Sequence, residues 1–355
     1  MMQNSDKLWD LVEGRQADYI ALADRVFDTP EVAYGEARSC AAHLAQLQAE
    51  GARVVTDLAG IPTAVMGEWG QGGPVIALLG EYDALPALGQ VAGVAQPQSL
   101  GVAGHGCGHN LLGSAAMLAA VALRDWLAER GLPGRVRYYG CPAEEGGAAK
   151  TFMVRAGVFD DVDAAITWHP GDYTGVMEPS SLANTRIDFT FLGRAAHAAG
   201  SPELGRSALD AVELMNVGVN YMREHMPDDA RVHYAYLDAG GEAPNVVQAR
   251  ATVRQLIRAR DNAGLRDLVA RVRKIADGAA LMTETAVGAQ VVSAVSNILT
   301  NPVMEQVMQA NVLRLGAPAF DAEDRAFAGA IRATLTPAHF ADTWRRTGLE
   351  PDMTR

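Results

Sequence analysis

Three predicted strands in the first half of the chain each end in a carboxylate or an imidazole, and this restricts the fold more than any other feature. Residues 74–79 form a continuous apolar run that leads into Gly80-Glu81-Tyr82-Asp83-Ala84-Leu85-Pro86. Residues 135–141 lead into Pro142-Ala143-Glu144-Glu145-Gly146-Gly147, and residues 164–168 into His169-Pro170. A short apolar run without alternation suits a strand buried on both faces. Between the first two runs, residues 111–126 are apolar and predict a helix reaching about residue 130. Strand–helix alternation of this kind implies an α/β domain, with a mixed, mostly parallel sheet and helices on both faces. In open sheets of that class, ligands bind beyond the carboxyl ends of the strands.

The segment Gly104-His105-Gly106-Cys107-Gly108-His109-Asn110 lies at the mouth of the predicted helix. Cysteine binds metal as the thiolate, and a helix N-terminus lowers thiol pKa. Neutral imidazole is a common metal ligand. Taken alone, the segment is equally a tight turn with an incidental Cys and His. Glu144-Glu145 alone reads as a solvated acidic turn. On extended backbone, however, neighbouring side chains point opposite ways, so one carboxylate could face a metal and the next a bound water. His169 alone reads as a surface imidazole. Taken jointly, Cys107, His109, Glu145 and His169 fall at sheet ends on one predicted side. Mixed S, N and O donors suit zinc or manganese better than calcium or magnesium.

Elsewhere in the first part, helices are expected over residues 5–27 and 34–48, and short strands over 53–58 and 63–67. From about residue 183 the pattern changes. Strands at 186–192, 231–237, 249–258 and 284–293 interleave with helices at 207–223 and 262–277. The order βαββαβ is the ferredoxin-like split unit, and it reads as a domain inserted into the first. Helices at 301–313 and 321–331 then return to the first domain. The expected division is 1–182 (catalytic, metal-binding), 183–297 (inserted lid and dimerisation domain) and 298–355 (return).

At 355 residues and 49% hydrophobic, the chain has material for more than one core. Its net charge of -12 argues against nucleic acid and anionic membranes as partners. No apolar run looks long enough to span a bilayer, and residues 1–13 lack an apolar signal core, so a cytoplasmic location is expected. Three cysteines, Cys40, Cys107 and Cys141, do not make a disulfide framework. Cys40 and Cys141 read as core thiols. Without a nearby resolving cysteine, a redox role for Cys107 is disfavoured.

The segments GEYDALP, GHGCGHNLLG, CPAEEGG, ITWHP, GRAAHAA and GGEAPNVV occur in order. Together they resemble the M20 metallopeptidase/amidohydrolase family, in particular the branch of the p-aminobenzoyl-glutamate hydrolase B subunit. The resemblance runs from about the first helix to about residue 335. It implies a zinc-peptidase-like catalytic domain holding a pair of divalent metal ions, manganese or zinc, and an inserted lid that often dimerises. Carried over by position, Cys107, His109, Glu145 and His169 match metal ligands, and Glu144 matches the general base. His197, His233 and Asn245 match substrate-binding positions, and Asp83 a supporting acid.

The implied activity is hydrolysis of an amide between an acyl or aromatic-acyl group and an amino acid. The first substrate expected is p-aminobenzoyl-glutamate-like, a small amide bearing a carboxylate. The alternatives are another N-acyl amino acid, a dipeptide, or an inactive chain that supports a catalytic partner. The expected assembly is a homodimer through the lid, or a heteromer with a related subunit. The family's catalytic domain normally continues past the point where this chain stops, with further strands and a late histidine ligand. His339 does not match that histidine's context, so the last ligand is unassigned, a partner subunit being one source for it, and the missing portion bears on full activity more than on the fold.

Overall fold

The structure is a computed structural model that describes residues 3–89, 91–96, 98, 101–171, 173–176 and 181–341. The terminal stretch containing Trp344 to Gly348 lies outside the described residues. The chain divides into two compact units. The first comprises Met1–Glu145, Phe152–Gly175 and Asn311–Arg355; the second comprises Gly146–Thr151 and Val176–Ala310.

The first unit begins with α1 (Gln3–Glu13) and α2 (Gln16–Phe27). A single helix was expected here, but a turn at Gly14-Arg15 divides it, consistent with glycine's poor fit in a helix interior. α3 (Ala37–Ala49) follows, then β1 (Arg53–Thr56), β2 (Val65–Gln71) and β3 (Val75–Glu81). α4 (His109–Glu129), β4 (Gly134–Cys141), α5 (Ala149–Arg155) and β5 (Ala164–Ile166) come next. The strand order is β1-β2-β4-β3-β5. β3 pairs in parallel with β4 and β5, whereas β2 runs antiparallel to both β1 and β4. Four of the five strands therefore point one way, although the pairings divide evenly between the two types.

Alternation along β4 separates the two sheet faces. Val136 and Tyr138 join the core formed with Leu22 and Val26 of α2, Leu47 of α3, and Met117 and Ala120 of α4. Tyr139 points the other way, its ring tilted against Phe159 with centroids 4.8 Å apart and its hydroxyl hydrogen donated to the Val158 carbonyl. Arg137 on that face pairs with Glu68 and Asp161. The small residues in α4 allow close approach. A Cβ on Gly113 would lie 2.4 Å from the Glu81 carbonyl oxygen, so only glycine lets α4 sit on the end of β3.

By length and composition, α4 is apolar enough to cross a bilayer, which corrects the expectation that no run in the chain qualifies. In this fold, Leu112, Met117, Ala120 and Val121 of α4 are buried, the last three in the core against the sheet. Cys40 on α3 and Cys141 at the end of β4 are buried free thiols, as expected.

The second unit contains β6 (Ala183–Leu192), α6 (Ala208–Met222), β7 (Arg231–Asp238), β8 (Arg250–Ala259), α7 (Asn262–Thr283) and β9 (Ala286–Val295). Its sheet order is β7-β8-β6-β9, with every pairing antiparallel. β6 alternates strictly between buried and half-buried positions, the pattern of a sheet with one covered face. Ile187, Phe189 and Phe191 on β6 pack with Val212, Met215 and Val219 of α6 and with Leu268 and Val272 of α7. Both helices start on side-chain caps. Ser207 accepts the Asp210 N–H and Asp261 accepts the Gly264 N–H. α8 (Pro302–Leu315) begins in this unit and ends in the last stretch of the first, which also holds α9 (Ala322–Arg332); neither helix has a buried residue.

Candidate metal centre

The register of the first sheet gathers the candidate residues of that unit. Glu81 at the end of β3 pairs level with Cys141 at the end of β4, so the turns carrying Asp83 and Glu144-Glu145 emerge side by side. β5 pairs with β3 through Ile166 and delivers His169 three residues later. α4 begins at His109, with Gly108 before it in the left-handed conformation at φ 79. A Cβ on Gly108 would meet the Pro170 ring at 2.9 Å. Gly108 is therefore needed both for its backbone angle and for the close approach of the 169–170 turn. The loop before it is tied down by His105, whose buried Nε2 lies 3.1 Å from the Val26 carbonyl.

The hydrogen bonds assign the imidazole tautomers. His109 Nδ1 lies 2.9 Å from Asp83 Oδ1. A carboxylate only accepts, so Nδ1 carries the proton. The His109 Nε2 atom then faces Glu81 Oε2 at 3.0 Å and Glu145 Oε1 at 4.0 Å. His169 Nδ1 lies 2.7 Å from the Pro170 carbonyl and must donate to it, which leaves Nε2 facing Cys107 Sγ at 3.2 Å. Both rings thus use Nδ1–H for orientation and present Nε2 to acids or thiol. The two imidazoles meet edge to face with centroids 5.7 Å apart.

Ligand atoms of Cys107, His109 and His169 lie within 4.8 Å of one another, as do those of Glu81, His109 and Glu144. A buried nitrogen lone pair facing carboxylates needs a positive charge between them, either a proton or a cation. In the chain alone that charge is a proton. Burial disfavours a charged His109, but the Asp83 hydrogen bond and the Glu81 charge outweigh burial and raise its pKa. Burial, then Glu145, Glu144 and Glu81, push the Cys107 thiol up to about 12. The expectation that the helix N-terminus lowers this thiol pKa is therefore corrected in the cation-free chain, because burial, and then three nearby carboxylates, outweigh the helix end. A divalent cation among the same groups inverts this balance and makes the thiolate and the neutral imidazoles the favoured forms. The donor set fits such an ion, and each histidine has the supporting acceptor that metal-binding imidazoles use.

Residues 144–147 form a turn, Ala143 just before it lies in the left-handed region at φ 55, and both carboxylates approach His109. Asp83 links the two turns, its second oxygen accepting the Glu145 N–H at 2.9 Å. Glu81 was not among the residues nominated from sequence. Its signal was its position two residues before Asp83, which puts both carboxylates on one face of an extended strand end.

The remaining nominated residues lie in the second unit. The backbone at His197 bridges to Val246, and the Ala198 N–H donates to the Asn245 carbonyl at 3.0 Å, so His197 and Asn245 are neighbours. His197 Nδ1 accepts the N–H groups of Ala199 at 3.2 Å and Gly200 at 3.0 Å. Its Nε2 therefore carries the ring proton and is a donor. His233 is exposed on the edge strand β7. His339 is exposed, and its Nδ1 accepts the Thr336 N–H at 3.0 Å.

Residues 77–334 match the profile of Peptidase family M20/M25/M40. The chain is 52% identical to the B subunit of the Escherichia coli p-aminobenzoyl-glutamate hydrolase over 330 residues, 92% of this chain and 68% of that protein. It spans about half to two thirds of the length of the first few curated relatives it matches. Among solved structures, it resembles the Klebsiella pneumoniae aminobenzoyl-glutamate utilization protein with a TM-score of 0.66 at 21% identity, over 92% of this chain and 90% of that one. It also resembles a dinuclear metal-binding peptidase of family M20 from Bacillus subtilis, with a TM-score of 0.57 at 20% identity over 86% and 83% of the two chains. At those identities the structural matches speak for the fold.

Proposed function

This chain belongs to peptidase family M20/M25/M40, and we propose that it hydrolyses the amide of a small acyl or aromatic-acyl amino acid, p-aminobenzoyl-glutamate first among candidates. The observation that carries this reading is the convergence of two imidazole Nε2 atoms, one thiol and three carboxylates at the strand ends. The 52% identity to one subunit of a p-aminobenzoyl-glutamate hydrolase supports the substrate class.

Cys107, His109, Glu145 and His169 would hold a pair of divalent cations, manganese or zinc, with Glu81 within reach of His109. When bound, such ions make a water acidic and polarise a carbonyl. Glu144, the more exposed of the two adjacent acids, takes the water proton and returns it to the leaving nitrogen. Asp83 holds the His109 ring and the Glu145 backbone in place. His197 offers an Nε2–H donor and Asn245 an amide, chemistry suited to a substrate carboxylate or a developing oxyanion; His233 joins them in the same proposed role. That the relative is one subunit of its enzyme supports assembly with a related chain; a homodimer through the second unit is the alternative.

The test is metal stoichiometry of the purified protein together with hydrolysis of p-aminobenzoyl-glutamate, with and without added manganese, beside a panel of N-acyl amino acids and dipeptides. Bound metal with turnover that peaks on p-aminobenzoyl-glutamate supports the reading. Turnover that peaks on another amide moves the substrate. Bound metal without turnover on any member favours a supporting chain, and absence of binding at millimolar metal refutes the centre.

A further inference from the structure

We propose that Glu36 is a positioning residue for the Glu144-Glu145 turn, acting from beneath it without touching metal or substrate. Glu36 stands at the N-terminal end of α3, without a side-chain bond to that helix, and is fully buried. Its Oε1 accepts the backbone N–H of Tyr34 and that of Ala143, each at 2.9 Å. Its Oε2 accepts the Thr63 hydroxyl at 3.1 Å. Both backbone donors belong to non-glycine residues in the left-handed region, Tyr34 at φ 64 and Ala143 at φ 55. Such angles persist only where the surroundings hold them. Ala143 immediately precedes Glu144, so the angle imposed there sets where both following carboxylates emerge.

The same carboxylate reaches the neighbouring strand end. The Thr63 carbonyl accepts the Tyr82 hydroxyl, and Tyr82 lies between Glu81 and Asp83. The strand-end turns are bridged again by Asp83 and the Glu145 N–H. Residues 31–36 thus brace both acid-bearing turns from one side, the backbone of Glu31 accepting the Ala84 N–H at 2.8 Å. A carboxylate suits this post because three donors converge on two oxygens, and a carboxylate only accepts.

The inference rests on the proposed metal centre for its consequence, though not for its geometry, and the experiment separates the two. Glu36→Ala and Glu36→Asp are compared with wild type and Glu36→Gln. Asp is one methylene shorter and keeps the charge but cannot span Ala143 and Thr63. Gln can place its amide oxygen on the two N–H groups and its NH2 on the Thr63 hydroxyl oxygen. Hydrogen exchange at the Ala143 amide reads the clamp directly. Zinc affinity, by competition with a chromophoric chelator, reads its effect on the ligands.

Expected results are at least tenfold faster exchange at Ala143 in the Ala and Asp variants, with α4 exchange unchanged, and zinc affinity about 10–100-fold weaker. The Gln variant should restore both to within about threefold of wild type. Wild-type exchange at Ala143 in the Asp variant overturns the clamp. Faster exchange with unchanged zinc affinity overturns the positioning role. If wild type itself binds no zinc, the metal centre fails while the Ala143 exchange still decides the clamp. Should Glu36→Ala not fold, the Asp variant carries the comparison.

Discussion

Asp83 accepts the Nδ1–H of His109 at 2.9 Å with both side chains fully buried. That bond decides which imidazole nitrogen is left for chemistry, and Asp83's other oxygen decides where Glu145 begins. In Asp83→Asn the amide can still accept from one of these donors, but its NH2 then opposes the other N–H. The expected outcome is metal affinity about 10–100-fold weaker, measured by chelator competition, with the melting temperature changed little by comparison.

Glu144 is the proposed base. Glu144→Gln should retain its metal content and lose at least about a hundredfold in kcat, the usual contribution of positioned acid–base catalysis. Wild-type turnover by this variant on the best substrate would reassign the base.

Metal removal should be visible in protons. In the cation-free chain the Cys107 thiol sits at about 12, raised first by burial and then by Glu145 and its acidic neighbours. At pH 8 it is therefore protonated, and metal ligation must release that proton. Calorimetric titration with zinc in buffers of different ionisation heat should show about one proton more for wild type than for Cys107→Ser. Equal proton release in the two proteins would place Cys107 outside the coordination sphere.

Acid stability offers a test away from the centre. Burial, and secondarily Arg25, hold the His43 imidazole down at about 3. Its Nδ1 lies 2.9 Å from the Tyr138 hydroxyl in the core. The unfolded chain takes up a proton near the ordinary histidine pKa, whereas the folded chain does not until about 3. Stability from this group is therefore complete above about pH 6.5 and falls as pH drops toward 3, by at most about 1.4 kcal/mol per pH unit. Denaturant midpoints measured between pH 7 and 4 should fall more steeply for wild type than for His43→Leu.

Packing at the strand end is equally testable. The Cβ of Gly113→Ala would lie 2.4 Å from the Glu81 carbonyl oxygen and 2.9 Å from the His43 ring. The backbone cannot yield as a flexible side chain would, so a loss of about 1–3 kcal/mol in folding free energy is expected, read from urea unfolding. A variant as stable as wild type would mean that α4 shifts freely on β3.

Much of this architecture could be read from residue order. Continuous apolar runs predicted β3 and β4 and alternation predicted β6, and the second unit runs in the order β6-α6-β7-β8-α7-β9. Cys107, His109, Glu145 and His169 stand out at strand-end and helix-mouth positions, where side-chain type and local pattern carry the signal, whereas the base role of Glu144 is what the family resemblance implies. Periodicity reports how often a chain needs to bury a side chain, so it is local information. Three features were not local. Glu81 joined the acids through pairing with β4, burial and then acids up to 38 residues away in sequence push the Cys107 thiol up, and Glu144 and Glu145 both approach His109 just after Ala143, whose N–H donates to the distant Glu36. Distances, protonation states and the direction of a turn depend on which distant groups meet in a medium of low polarity. Only the packed chain decides that.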